Sequence, residues 1–297
     1  MCFFFLSGFS TARSRDAFYG PTCRDRLWMW GHHVDMAREA AACCDDKAVR
    51  DAFRFPGRAV DQAEGCRLMG IPNNCVIRWG GLPKHPFGDY FDQFKGLKRI
   101  SFDVYQGGES PAEMLEKLRI ATEELLPALP NLTGCWLDDF FNYIDEKGAA
   151  HDLSLLERIA DALHGKGLRL SLVSYFSQLA KFARYRRYFD LVDEVSFWFW
   201  RGDSIPQMRD AVRRCRDFAG RDKSLLLGLY MWDFTTARPV PAELMAHQLA
   251  CAGDFLADGT VDGLIFHPTF VAALDVPAVN LSKEWIRAHG DDVVRGA

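Results

Sequence analysis

Two consecutive aspartates, Asp138-Asp139, end an otherwise apolar run, LTGCWLDD. Carboxylates in such a setting are costly unless they are solvated, paired or used. Hydrolysis of a glycosidic bond uses such groups in pairs: one protonates the leaving oxygen, the other serves as base or nucleophile. Three more aspartates can supply a partner: Asp203 after EVSFWFWR, Asp233 after SLLLGLYMW and Asp103 within RISFDVY. Arg78, His32 and His267 are able to orient a carboxylate or bind a hydroxyl. Large aromatics fall at the same kind of position: Trp30, Tyr175, Trp198, Trp200, Tyr230 and Trp232. Their flat apolar faces, with Tyr O–H and Trp N–H groups beside them, suit a pyranose ring.

Each residue also has a plainer role. One of Asp138 and Asp139 can bind turn amides before Phe140. Asp203 can sit at a helix N-terminus, where the dipole favours it. Asp103 can form an ion pair with Arg78 on the neighbouring strand. The deeper Trp198 and Tyr230 can simply fill a core layer.

These residues share a place in the pattern. Eight short runs read as strands: Leu27–Gly31, Asn74–Trp79, Arg99–Tyr105, Leu132–Asp138, Leu168–Tyr175, Glu194–Trp200, Ser224–Trp232 and Val261–His267. Helix-prone segments separate them, so the expected fold is α/β, a (β/α)8 TIM barrel occupying 27–297 after an N-terminal segment 1–26. Side chains alternate along a strand. On the seventh run Leu225, Leu227, Leu229 and Met231 suit the helix layer, which turns Gly228, Tyr230 and Trp232 inward. The same rule turns Ser101, Asp103, Trp136, Asp138, Trp198 and Trp200 inward, and Arg78, Tyr175 and His267 with them. The inward set becomes polar and aromatic toward each C-terminal end, where such barrels carry their sites.

Helix starts are legible. Ser110-Pro111-Ala112-Glu113 and Ser204-Ile205-Pro206-Gln207 read as capping boxes, Asp152 or Ser154 as a cap, and Pro241 as a helix opener. A last helix is expected over about Val276–His289. The 48% hydrophobic content supports a large core, and net charge is −4 without a long basic run, which argues against nucleic acid. No apolar stretch reaches the ~18 residues of a membrane span. The start, MCFFFLSGFSTARSR, lacks a basic leading region, and its apolar core is shorter than the ~7 residues of a secretion signal. Nine cysteines form no CxxC pair, which fits reduced thiols and a cytoplasmic setting. No GxSxG elbow or GxGxxG loop is present.

The run ends together resemble TIM-barrel glycoside hydrolases. FWFWRGDSIPQM resembles the strand-6 segment of the α-galactosidase clan, where a Trp-Arg stretch precedes the acid/base Asp. That clan's strand-4 nucleophile corresponds to Asp138 or Asp139. Its Lys two residues earlier is replaced by Trp136 or Leu137. The adjacent carboxylates also resemble the strand-4 pair of β-hexosaminidase-like barrels, which use a Glu as acid where this chain has Asp. The expected function is therefore a carbohydrate-active enzyme acting on a small saccharide. Asp138 leads, with Asp139, Asp203 or Asp233 as partner, and no metal or cofactor is required. One alternative is a sugar-binding barrel without catalysis. Another is a metal-dependent hydrolase, isomerase or lyase using His32, His267 and a carboxylate, with His33 and Asp35 also following the first strand.

Overall fold

The eight runs become eight parallel strands: β1 Leu27–Gly31, β2 Asn73–Val76, β3 Arg99–Tyr105, β4 Leu132–Leu137, β5 Arg169–Tyr175, β6 Glu194–Trp198, β7 Ser224–Tyr230 and, after a short hairpin of β8 Trp232–Asp233 and β9 Arg238–Pro239, β10 Gly263–His267. Neighbours follow chain order and β1 pairs with β10, closing a (β/α)8 barrel. This computed structural model describes residues 18–32, 35, 42, 47–52, 58, 60–78, 81–147 and 152–294. The helix-prone MAREAAACC segment and Trp79 fall outside them, apart from Ala42.

The barrel is filled by large side chains at close quarters. The Trp30 ring centroid lies 5.4 Å from that of Trp136 and 5.3 Å from that of Trp198. Both partner indoles spend their N–H inside, Trp136 on Ser101 Oγ and Trp198 on Ser196 Oγ at 2.7 Å. Small residues make the room. A Cβ on Gly228 would stand 2.0 Å from the Trp198 ring, so β7 approaches that indole closely only as glycine.

Local signals set several helices as expected. Ser110 and Glu113 form the reciprocal capping box that opens helix Pro111–Arg119. Asp152 caps Leu153–His164, Pro241 precedes Ala242–Ala257, and Val276 precedes Pro277–His289. The second expected box does not form. Gly202–Gln207 is a 3-10 segment in which the Ser204 hydroxyl donates to the Arg201 carbonyl, and the α-helix starts only at Met208. The basic aromatic segment after β5 is likewise a 3-10 run, Phe176–Tyr185, followed by one α turn.

The N-terminal ends of the strands are closed from below by residues that precede β1. Tyr19 is fully buried and its hydroxyl donates to Glu194. Ser171 Oγ donates to the other Glu194 oxygen at 2.9 Å. Arg99 donates to the carbonyls of Phe18 and Tyr19, and the Arg169 guanidinium lies 4.5 Å from the Phe18 ring centroid. Burial, then the charge of Asp262, pushes the Glu194 carboxyl well above the usual range. Nearby, buried Asp262 takes a 2.6 Å bond from Arg216 and a 2.8 Å bond from the Leu225 N–H, tying helix Met208–Ala219 to β7.

Candidate active site at the barrel mouth

β4 ends at Leu137, and the ladder contributes one more bond, Asp138 N–H to the Tyr105 carbonyl at 2.8 Å. Asp138 is 8% exposed. The chain then turns sharply into helix Phe140–Lys147, with Asp139 in the left-handed region at φ 52°. That conformation is uncommon for a non-glycine residue and is tolerated best by Asn and Asp. Asp139 is held from several sides. Its carbonyl accepts from Asn142 N–H at 3.1 Å. Its Oδ1 accepts from the Tyr175 hydroxyl at 2.6 Å and from Asn142 Nδ2 at 3.0 Å.

The two carboxyls therefore differ in environment. Burial, then the charges of Asp139 and Asp103, pushes Asp138 well above the usual carboxylate range, with Lys117 opposing. Two donors on one Asp139 oxygen suit a carboxylate acceptor. Burial and the neighbouring Asp139 charge also raise the phenols of Tyr175 and Tyr230, so both remain O–H donors at neutral pH.

The expected pairing of Asp103 with Arg78 is not what forms. Asp103 is 0% exposed, takes the Arg78 backbone N–H at 3.2 Å, and forms its ion pair with Lys117 from helix Pro111–Arg119. Lys117 also reaches Glu109 at 2.7 Å. The Arg78 guanidinium instead lies 5.2 Å from the Phe87 centroid and 5.6 Å from that of Phe102, on the helix side. Register explains the error. Cys75 pairs with Ser101, and its thiol sits beside Ser101 and Trp136, so the odd residues of β2 face inward. Arg78 shares the parity of Val76 and turns away.

Aromatic rings form the wall. His267, Phe234 and Trp200 stack in sequence, with centroid separations of 5.2 Å at both steps. Tyr230 stands nearly perpendicular to all three, and Trp198 lies 5.4 Å from it. Trp200 is 44% exposed and meets the Tyr175 ring edge-on at 6.4 Å. His32 lies 6.2 Å from His267. Burial pushes His32 down to about 4 and His267 well below its usual value, so both are neutral imidazoles.

Three expected members have other partners. Asp203 has a 65% exposed side chain and pairs with Arg201 at 2.6 Å. Asp233 Oδ1 accepts from the N–H groups of Thr235 and Thr236 and from the Thr235 hydroxyl, so it shapes the β8–β9 turn. Trp232 is 3% exposed in that hairpin, and Phe234 takes the place beside Trp200. Asp138, Asp139, Tyr175, Tyr230, Trp200, Trp198, Trp30, His32 and His267 do meet at one end. Sequence reasoning missed Phe234, Asn142, Gln178 and Lys117. Only Lys117 carried a signal, as a lysine four residues after Glu113 in the first turn of a well-capped helix. Among the described residues, no three His, Cys, Asp or Glu side chains are grouped as a metal would require. His33 lies outside those residues.

No family model and no curated protein matches this chain. Among solved structures it is similar to a protein from Bacteroides thetaiotaomicron assigned as an α-L-fucosidase, at 9% identity and TM-score 0.54, covering 91% of this chain and 96% of that one. It is similar to a mutant tryptophan synthase α-subunit from Pyrococcus furiosus, at 8% identity and TM-score 0.51, covering 90% and 98%. A third is a protein from Acinetobacter baumannii assigned as a 2-pyrone-4,6-dicarboxylic acid hydrolase and holding citric acid, at 9% identity and TM-score 0.51, covering 88% and 91%. At such identities the likeness is one of architecture: the chain is a TIM barrel, a fold that hosts many unrelated chemistries.

Proposed function

We propose that the protein is a carbohydrate-active enzyme, a glycoside hydrolase whose reacting carboxyls are Asp138 and Asp139. The observation that carries this reading is the contrast between the two. Asp138 is buried and favours its protonated form, as a general acid requires. Asp139 accepts two hydrogen bonds on one oxygen, as a carboxylate does. Carboxyl groups with environments that differ in this way divide acid and base work between them. Asp138 would protonate the leaving oxygen, and Asp139 would stabilise or attack the positive centre that develops as the bond breaks.

The wall supports a saccharide. Trp200 keeps much of its surface in solvent beside Tyr175, whose hydroxyl is committed to Asp139, and the Tyr230 phenol is a donor for a hydroxyl group. Arg78 faces the helix layer and Lys117 is committed to Asp103 and Glu109, so neither is offered as a site for a phosphorylated substrate.

The test is hydrolysis of a panel of para-nitrophenyl glycosides covering common sugars in both anomers. Asp138→Asn should lower kcat by about 10²-fold or more, because a proton donor active in the transition state is lost. Asp203→Ala should leave the rate unchanged. A wild-type protein inert toward the whole panel, or an Asp138→Asn variant of full activity, defeats the proposal. Binding of an oligosaccharide without turnover would favour the non-catalytic sugar-binding barrel.

A further inference from the structure

We propose that Gln178 and Asn142 are positioning residues for Asp139, and that Gln178 acts by fixing which way the Asn142 amide faces; this rests on reading Asp139 as a reacting group.

The chain of bonds runs in one direction. The Tyr175 backbone N–H donates to Gln178 Oε1 at 2.9 Å. Gln178 Nε2 donates to Asn142 Oδ1 at 2.7 Å, and Asn142 Nδ2 donates to Asp139 Oδ1 at 3.0 Å. The circuit closes where it began, because the Tyr175 hydroxyl donates to the same Asp139 oxygen at 2.6 Å. Gln178 is 2% exposed, so both ends of its amide are committed inside the protein.

An Asn amide has an acceptor end and a donor end of nearly the same shape. Facing Asp139, only the donor end is favourable; the oxygen would meet a carboxylate oxygen. The ionised Asp139 already favours that orientation of Asn142, three residues on along the same turn. Gln178 secures it from the other side. Its oxygen is taken by a backbone N–H, which cannot be reversed, so its own NH2 must face Asn142. That requires the Asn142 oxygen there and sends the Asn142 NH2 to Asp139. Gln178 thus orients Asp139 without touching it. The circuit also joins two mouth segments, helix Phe140–Lys147 after β4 and the 3-10 run Phe176–Tyr185 after β5.

Three variants of the full chain test this. Gln178→Leu removes both ends of the amide. Gln178→Glu still accepts the Tyr175 N–H; protonated, as burial favours, its O–H can replace the amide donor to Asn142, whereas ionised it offers only an oxygen. Asn142→Asp removes only the last donor. On whichever para-nitrophenyl glycoside the wild type cleaves, Gln178→Leu and Asn142→Asp should lose kcat on the order of 10–100-fold with KM within about twofold, and Gln178→Glu should lose it only as the new carboxyl ionises at rising pH. A folded Gln178→Leu variant that keeps the wild-type rate would overturn the proposal. A second readout needs no substrate. Exchange of the Asn142 side-chain NH2 protons with water, followed by NMR, should quicken several-fold in Gln178→Leu. Unchanged exchange in a folded variant also overturns it. If the wild type cleaves no glycoside, the hydrolase reading falls, and the exchange measurement alone decides the circuit.

Discussion

Replacing Asp138 by Asn should make the protein more stable at neutral pH, by an amount that grows as pH rises. Asp138 is buried next to Asp139 and near Asp103, so its ionised form is disfavoured in the folded chain. An aspartate in the unfolded chain loses its proton near pH ~3.9, whereas the folded chain holds this one to higher pH. Between those two points the native state binds more protons than the unfolded state, and stability falls as pH rises. The fall amounts to about 1.4 kcal/mol for each pH unit by which folding raises the titration point. Below both points the penalty is absent, and above both it is complete and constant. Asn has almost the shape of Asp and never ionises, so the variant escapes the penalty. Urea unfolding of both proteins, followed by tryptophan fluorescence from about pH 5 to about pH 8, measures it. The variant-minus-wild-type difference should climb through that window while kcat collapses. A flat or shrinking difference would refute the account of Asp138, because any fixed cost of the amide adds a constant and not a slope.

Gly228→Ala should cost about 3 kcal/mol in urea unfolding, since its Cβ would stand 2.0 Å from the Trp198 ring; a cost near zero would mean that the indole moves freely. Asp262→Ala should cost about 3–5 kcal/mol, because it leaves Arg216 charged and buried without its carboxylate. Trp200→Ala should weaken saccharide binding, read by fluorescence titration, and barely change unfolding. Trp232→Ala should do the reverse, with a loss of about 3–5 kcal/mol, as suits a 3% exposed indole. A binding defect confined to the Trp232 variant would reverse the roles given to these two residues.

The period-two pattern carried the barrel and most of its mouth, because side-chain alternation holds wherever the ladder is continuous. Asp138, Tyr175, Tyr230 and His267 stand at or just beyond ladder ends and could be read. The failures begin where the ladder stops. Arg78 is the exception: it keeps the parity of β2, and the error lay in the register, since nothing in NNCVIRW marks Cys75 as inward. β6 ends at Trp198 and β7 at Tyr230, so the parity rule lapsed before Trp200 and Trp232. Trp200 reached the mouth anyway, whereas Trp232 went into a hairpin. Asp203 fell on a 3-10 turn that resembled a capped helix in sequence. Asn142 and Gln178 were invisible for a different reason. Their roles depend on which amide end meets which partner, and that is a property of three elements brought together.

The stopper beneath the strands bears on how the chain can be cut. Tyr19 and Phe18 precede β1, yet their backbone and side chains answer Arg99, Arg169 and Glu194 inside the barrel. A protein trimmed to begin at Leu27 would keep every strand and lose those partners together. Two guanidinium groups and a buried carboxyl would then lose the carbonyls, ring and hydroxyl that answer them. Any shortening of the chain that reaches Phe18 or Tyr19 removes those partners.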